Sequence, residues 1–273
     1  MNKQVLLIND LAGYGKVALS AMMPVLSHLK INIYNLPTAL VSNTLDYGEF
    51  AILDTTDYMQ NTLSIWKHLG FHYDAISTGF ILHEKQASLI ADYCIEQSKK
   101  GVKIFCDPIM GDDGKLYNGV NENNVIAMRK LVACSDYIVP NYTEAVYLCN
   151  KTYIPNPTKE EIINIINDLK RIGAKSVVIT SVCMDGLYHV VGYDQLNKEY
   201  FFLQYEYIDV RFPGTGDIFS AMMLACIMKG FDLKTSVKKA MDVVKKMILK
   251  NLDNKDKYKG ILIESCLEVI DNE

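Results

Sequence analysis

This 273-residue sequence lacks the signals that announce several large protein classes. It contains no GxxxxGK[ST], which excludes a P-loop enzyme. Its seven cysteines, at 94, 106, 134, 149, 183, 226 and 266, include no CxxC pair. Most sit in apolar runs such as Ile104-Phe105-Cys106 and Leu224-Ala225-Cys226, which predicts buried, reduced thiols. His68 and His72 lie one helical turn apart, but no HExxH glutamate separates them and Leu69-Gly70 reads as a helix end. Surface or capping histidines are expected there rather than a metal hydrolase. No uninterrupted apolar stretch reaches the roughly 18 residues of a membrane span. Val5-Leu6-Leu7-Ile8 is only strand length and no charged-then-apolar signal segment accompanies it. The expectation is a soluble, cytoplasmic protein. An excess of positive charge is missing too: 28 Lys and Arg against 32 Asp and Glu leave a net charge of −4. That gives no electrostatic case for nucleic acid or an acidic membrane. Lys238, Lys239, Lys245, Lys246 and Lys250 punctuate an apolar helical pattern and read as a solvated face.

What is present is a globular composition, 49% hydrophobic and 22% charged, with a β-α rhythm. Strands are predicted at Val5–Ile8, Ile31–Leu36, Ala75–Ser77, Val102–Cys106, Tyr137–Val139 and Ser176–Thr180. Helices are predicted at Val17–Leu29, Thr62–Leu69, Glu84–Lys99, Asn124–Val132, Thr143–Leu148 and Lys159–Ile172. Leu187–Val191 and Glu199–Gln204 read as an antiparallel hairpin, and two helices follow over 217–229 and about 233–251. The tail around Ile261–Ile270 stays ambiguous. The rhythm predicts an α/β fold, one domain over 1–273, with a mostly parallel sheet between helix layers. Ligands of such sheets sit beyond the carboxyl ends of the strands. The residues there are Asn9-Asp10, Thr38, Thr78-Gly79, Asp107, Asn141 and Thr180-Ser181, all polar or small.

Pro213-Gly214-Thr215-Gly216-Asp217 runs directly into the apolar stretch Ile218–Met228. A glycine turn feeding a helix N-terminus aims unpaired N–H groups and the positive end of the dipole at one spot. That spot suits a phosphate or a transferring phosphoryl group. Asp217, in the first turn, could take a proton from an attacking hydroxyl; an ordinary N-capped helix is the plainer alternative. Asn141 and Glu144 carry the spacing of an N-cap and N3 capping box, and Asp112-Asp113-Gly114 suits a turn.

Together these residues resemble the ribokinase-like superfamily of small-molecule kinases. Gly214-Thr215-Gly216-Asp217 looks like its signature, Asn141-Tyr142-Thr143-Glu144 its NxxE element, and Asp107-Pro108-Ile109-Met110-Gly111-Asp112 its DPVMGD segment. Leu7-Ile8-Asn9-Asp10 with Tyr14-Gly15, and Thr38 with Ser42-Asn43 and Tyr47-Gly48, are similar to the substrate loops of the vitamin B6 kinase group. The resemblance implies a three-layer α/β/α sandwich and ATP-dependent phosphorylation of pyridoxal, pyridoxamine or pyridoxine. It implies Asp217 as base, and Gly214, Thr215 and Gly216 as the phosphoryl cradle. Asp10, Tyr14, Thr38, Ser42, Asn43 and Tyr47 would then bind the vitamin. Asn141, Thr180 and Ser181 would hold ATP, and Asp107, Asp112 and Glu144 would surround Mg²⁺ through water. A homodimer follows from the resemblance alone, and assistance by a monovalent cation stays open.

The departures lie in the substrate loop. The group usually reads Ser-Asn-His-Thr-x-Tyr-Gly, whereas this chain has Ser42-Asn43-Thr44-Leu45-Asp46-Tyr47-Gly48, losing a hydroxyl used against the pyridine ring. Asp10 stands where many members carry Ser, and could accept a hydrogen bond from a protonated ring nitrogen or a hydroxyl. Hydroxymethylpyrimidine kinase is the near alternative; a non-catalytic vitamin-binding protein and a nicotinamide-dependent oxidoreductase are the distant ones. The last rests on a loose GxGxxA at Gly13-Tyr14-Gly15-Lys16-Val17-Ala18, with no Asp or Glu from Ile31 to Thr38 to hold a ribose.

Overall fold

The computed structural model describes residues 3–117 and 119–271. In chain order the elements are β1 (Gln4–Tyr14), α1 (Ala18–His28), β2 (Asn32–Asn43), β3 (Ile52–Asp54), α2 (Thr56–His68), β4 (Ala75–Thr78), α3 (Glu84–Ser98) and β5 (Lys103–Cys106). Then come β6 (Gly111–Asp112), β7 (Lys115–Leu116), α4 (Glu122–Ala133), β8 (Tyr137–Ile138), α5 (Tyr142–Leu148) and α6 (Lys159–Ile172). The chain closes with β9 (Ser176–Met184), β10 (Leu187–Asp194), β11 (Glu199–Tyr205), α7 (Thr215–Met228) and α8 (Leu233–Lys250). Two compact units result: residues up to Ala75 with those from Ile208 onward, and Ile76–Tyr207.

In the first unit β1 pairs in parallel with β2, and β3 adds antiparallel to β2. Val5 to Ile8 are fully buried, so the apolar run is a core strand. Both strands continue past the apolar residues that reveal them. The register shifts between Asn9 and Leu11, where Asp10 alone stands opposite Thr38 and Ala39. Such a bulge re-aims side chains at a strand end. It places two of the predicted binding residues at one irregularity. Every residue of α7 from Asp217 to Met228 is buried, the mark of a core helix. α8 is amphipathic, burying Leu233, Ser236, Val237, Ala240, Val243 and Met247 at helical spacing and leaving its lysines on the other side. Short 3₁₀ turns, Lys257–Lys259, Ile263–Ser265 and Leu267–Val269, follow α8.

In the second unit the strand order is β11-β10-β9-β8-β5-β4. β5–β8 and β8–β9 are parallel, whereas β9–β10–β11 is the antiparallel meander expected from the hairpin sequence. Val177, Val178 and Ile179 are at most 1% exposed. The hairpin β6–β7 escapes sequence reading because two-residue strands carry no periodicity. No disulfide joins any of the seven cysteines. His68 and His72 are exposed. Among the described residues no helix is long and apolar enough to cross a membrane.

Candidate active site

In the first unit, Gly214 precedes α7 with φ +85°, and a Cβ there would lie 2.0 Å from the Lys16 carbonyl oxygen. Only glycine fits that close approach in that left-handed conformation. No side chain caps α7, so its opening N–H groups are not consumed by the usual Ser, Thr or Asp. A Cβ on Gly216 would meet nothing within 4 Å. An uncapped helix start with open space beside it has the chemistry to receive an anion.

Asp217 is 9% exposed, and its Oδ2 accepts the Ala18 N–H at 2.8 Å. Oδ1 is buried without a hydrogen-bond partner. A buried carboxylate oxygen left open costs stability unless a ligand proton completes it. Burial lifts this carboxyl to about 6, against the Ala18 N–H and the Asn9 side chain, which lower it. Asp217 thus stays mostly ionised at neutral pH yet close enough to accept a proton. Ala18 itself sits at φ +48°, its N–H aimed at the carboxylate. The start of α1, where a dinucleotide pyrophosphate would bind, is therefore occupied by Asp217, and Gly13 belongs to strand β1. The nicotinamide reading fails on that geometry.

Asp10 lies half-buried in the bulge. Burial, then the charge of Asp217, raise its carboxyl to about 7, while its backbone surroundings lower it. The two acids repel, and the folded chain holds the Asp10 proton more tightly than the unfolded chain, whose ordinary value is 3.8. Ionising Asp10 therefore removes stability as pH rises from about 4 through about 7. Asp10→Asn is expected to stabilise the fold by about 2 kcal/mol at pH 8, with a smaller gain at pH 5. Thermal melts at the two pH values check this; an equal shift at both would refute the repulsion.

The substrate loop is braced internally. Ser42 Oγ donates to Asn43 Oδ1 at 2.6 Å and accepts the Ala51 N–H at 2.9 Å. Asn43 Nδ2 donates to the carbonyls of Thr44 and Glu49. Ser42 and Asn43 thus shape the turn, while the exposed rings of Tyr14 and Tyr47 meet at 5.9 Å. Gly15 is required by the same packing, since a Cβ would lie 2.3 Å from Thr44 Cγ2. Thr38 is fully buried, and Leu45 is 39% exposed in the one-turn 3₁₀ helix Leu45–Tyr47.

In the second unit the capping box is real. Asn141 Oδ1 accepts the Glu144 N–H at 2.9 Å, and Glu144 Oε2 accepts the Asn141 N–H at 2.8 Å. The same two side chains reach further: Glu144 Oε1 accepts the Met110 N–H at 3.0 Å, and Asn141 Nδ2 donates to the Gly111 carbonyl at 2.8 Å. Thr143 Oγ1 accepts the Gly114 N–H. The NxxE element therefore pins the segment 110–114 that carries Asp112. Glu144 is buried, and burial followed by the nearby Asp107 charge pushes its carboxyl well above the usual range, against its backbone donors. Two close carboxylates whose repulsion a cation would relieve fit Mg²⁺, which favours hard oxygen donors and keeps its waters. Among the described residues no group of three or more His, Cys, Asp or Glu side chains that could hold a metal ion directly occurs.

Thr180 and Ser181 form a β-bulge opposite Val190, with Ser181 at φ +59°. Thr180 is half-buried and Ser181 exposed at the end of the parallel part of β9. The bulge interrupts the buried run of β9 at these two residues before Val182 is buried again. Sequence reading missed the residues after α8 that contact the substrate loop, Asp256, Tyr258 and Lys259. They carry no periodic pattern.

Comparison with known proteins places the chain in a family. Residues 26–261 match the family model of phosphomethylpyrimidine kinase. A Bacteroides thetaiotaomicron protein described as a candidate phosphomethylpyrimidine kinase, crystallised with pyridoxal, is 31% identical. It superposes with a TM-score of 0.94 over 99% of this chain and 96% of its own. Pyridoxal kinase from Lactobacillus plantarum is 25% identical, with a TM-score of 0.88 over 98% of this chain and 96% of its own. Pyridoxal kinase from Arabidopsis thaliana is 32% identical over 155 residues, or 55% of this chain, which spans about half, 48%, of that relative's length. The chain belongs to the phosphomethylpyrimidine kinase family and has the ribokinase-like α/β fold that the family shares with pyridoxal kinases.

Proposed function

We propose that this chain is an ATP-dependent kinase that phosphorylates the primary hydroxyl of pyridoxal, pyridoxamine or pyridoxine in pyridoxal phosphate salvage. The observation that carries the reading is the buried, unpartnered Oδ1 of Asp217 at an uncapped helix start. Mere binding needs no base there. The pyridoxal held by the Bacteroides thetaiotaomicron relative favours a B6 vitamer over the pyrimidine.

Phosphoryl transfer asks the protein for positioning and charge neutralisation more than for covalent chemistry. Asp217 Oδ1 takes the proton of the hydroxymethyl group as its oxygen bonds to the γ-phosphorus and the bond to ADP breaks. The N–H groups of Gly214, Thr215 and Gly216 receive the charge on the transferring phosphoryl group. Asp10 accepts a hydrogen bond from a protonated ring nitrogen or a hydroxyl, and a cation there offsets its repulsion from Asp217. Tyr14 and Tyr47 line the vitamin, with Ser42 and Asn43 holding the loop, while Thr38, fully buried, supports the strand end opposite Asp10. Thr180 and Ser181 donate hydroxyls to ATP phosphates, and Asn141 positions the segment beside them. Mg²⁺ would be held through water by Asp107, Asp112 and Glu144, and when bound would neutralise phosphate charge. The chain acts as one kinase domain, cytoplasmic and homodimeric in this reading.

The test is ATP-dependent phosphorylation of pyridoxal, pyridoxamine, pyridoxine and hydroxymethylpyrimidine by the purified protein. Turnover of a B6 vitamer is expected. Turnover of the pyrimidine alone would move the protein to thiamine metabolism.

A further inference from the structure

The segment that follows α8 has no task in the reaction as described, yet it is tied to the substrate loop at several points. Thr44 Oγ1 donates to the Tyr258 carbonyl at 2.7 Å, and Tyr47 OH donates to Asp256 Oδ2 at 2.6 Å. The Tyr47 ring stands edge-on to Tyr258 at 5.5 Å, and the Lys259 ammonium lies 5.0 Å from the centre of the Tyr14 ring. The same segment reaches the phosphoryl cradle. The Lys16 N–H donates to the Lys259 carbonyl at 2.7 Å. Gly260, at φ +78°, would bring a Cβ to 2.7 Å from the Pro213 carbonyl oxygen and 2.9 Å from that of Lys16.

Burial does not explain the order of this corner. Tyr14, Tyr47 and Tyr258 are 49%, 36% and 53% exposed, so little apolar area holds them. Ordering three large side chains costs entropy that the hydrogen bonds and ring contacts must offset. Partial desolvation and then the Asp256 carboxylate push the Tyr47 phenol well above its ordinary range, so the hydroxyl stays a donor. Thr44, which replaces the usual histidine, spends its hydroxyl on this segment rather than on a ring.

We propose that residues 256–260 are a strap that positions the acceptor loop, with Asp256 and the Tyr258 carbonyl as positioning groups that set the affinity for the vitamin. The proposal rests on the B6 kinase reading, and it assigns to the strap no contact with the reacting atoms. Its signature is a rise in KM for the vitamer without a matching change in kcat or in KM for ATP.

The experiment compares wild type, Asp256→Ala, Asp256→Asn, Tyr47→Phe and the Tyr47→Phe/Asp256→Ala double variant. Asp256→Ala is expected to raise KM for the vitamer about tenfold, as loss of a hydrogen bond to a charged group does. Asp256→Asn keeps an acceptor and should stay within about threefold. The double variant should be no worse than the poorer single one, because both remove the same contact. KM for ATP should move less than about twofold. An unchanged vitamer KM in Asp256→Ala, an equal rise for ATP, or equal impairment in Asp256→Asn would each overturn the strap. Amide hydrogen exchange of residues 44–48 reads the same contact without turnover. It should speed up about tenfold in Asp256→Ala and stay near wild type in Asp256→Asn. If wild type phosphorylates no vitamer, the B6 assignment falls, while unchanged exchange would defeat the strap by itself.

Discussion

Asp217→Asn is expected to lower kcat by about 10²–10⁴ while leaving KM for ATP nearly unchanged. The amide oxygen of Asn can still accept the Ala18 N–H, which lies 2.8 Å from Oδ2 in the wild type, so the start of α1 should survive the change. What should disappear is the acceptance of the substrate proton that the proposed mechanism assigns to the buried, unpartnered Oδ1. The wild-type pH profile should report the same group. A base raised to about 6 must be ionised to act, so kcat/KM for the vitamer should fall as pH drops through about 6 and level off above it. Steady-state kinetics from pH 5 to 8 with a B6 vitamer checks both expectations. A variant that retains near-wild-type turnover would remove Asp217 as base.

Gly214→Ala should be the most damaging small change in the chain. The new methyl would stand 2.0 Å from the Lys16 carbonyl oxygen, at a φ of +85° that alanine resists. Backbone atoms cannot rotate away as a flexible side chain can, so the turn must move. The expected cost is about 2–4 kcal/mol of stability. Displacement of the cradle by about 1 Å should lower kcat/KM at least about 100-fold. Gly216→Ala is the control for the fold. Its methyl would meet nothing within 4 Å, so its melting temperature should change by no more than about 2 °C. Equal melting temperatures for the two variants would contradict the packing argument.

The sequence was most legible where chemistry and local structure coincide. Gly214 to Asp217 predict a turn because its close approach demands glycine, and the structure makes the turn. Asn141 and Glu144 posed a choice between a capping box and a ligand site. The structure makes the box, and its other contacts give it a reach that spacing alone does not show: Met110 and Gly111 are held by the same side chains. Ser42 and Asn43 were legible as polar residues at a strand end, but their partners are one another, Thr44, Glu49 and Ala51. Spacing reveals that such residues do something; it does not reveal toward what they point.

Strand lengths were underestimated for a related reason. Apolar runs ended the predicted strands at Ile8 and Leu36, whereas pairing continues to Tyr14 and Asn43 through the bulge at Asp10 and Thr38. Polar residues break a hydrophobic pattern without breaking a ladder, because backbone pairing needs no apolar side chain.

The sequence by itself determined the α/β class, the burial of the Val5–Ile8 strand and of α7, and the glycine turn that leads into Asp217. Periodicity, turn chemistry and a few demanding residue types are local properties, readable without a fold. Tertiary structure alone decided that Asp217 also anchors Ala18, that Asp10 feels the charge of Asp217, and that residues 256–260 hold Thr44 and Tyr47. Those are contacts between residues about 200 positions apart. They exist because chain folding brings the groups together, and no window along the sequence is long enough to contain both partners.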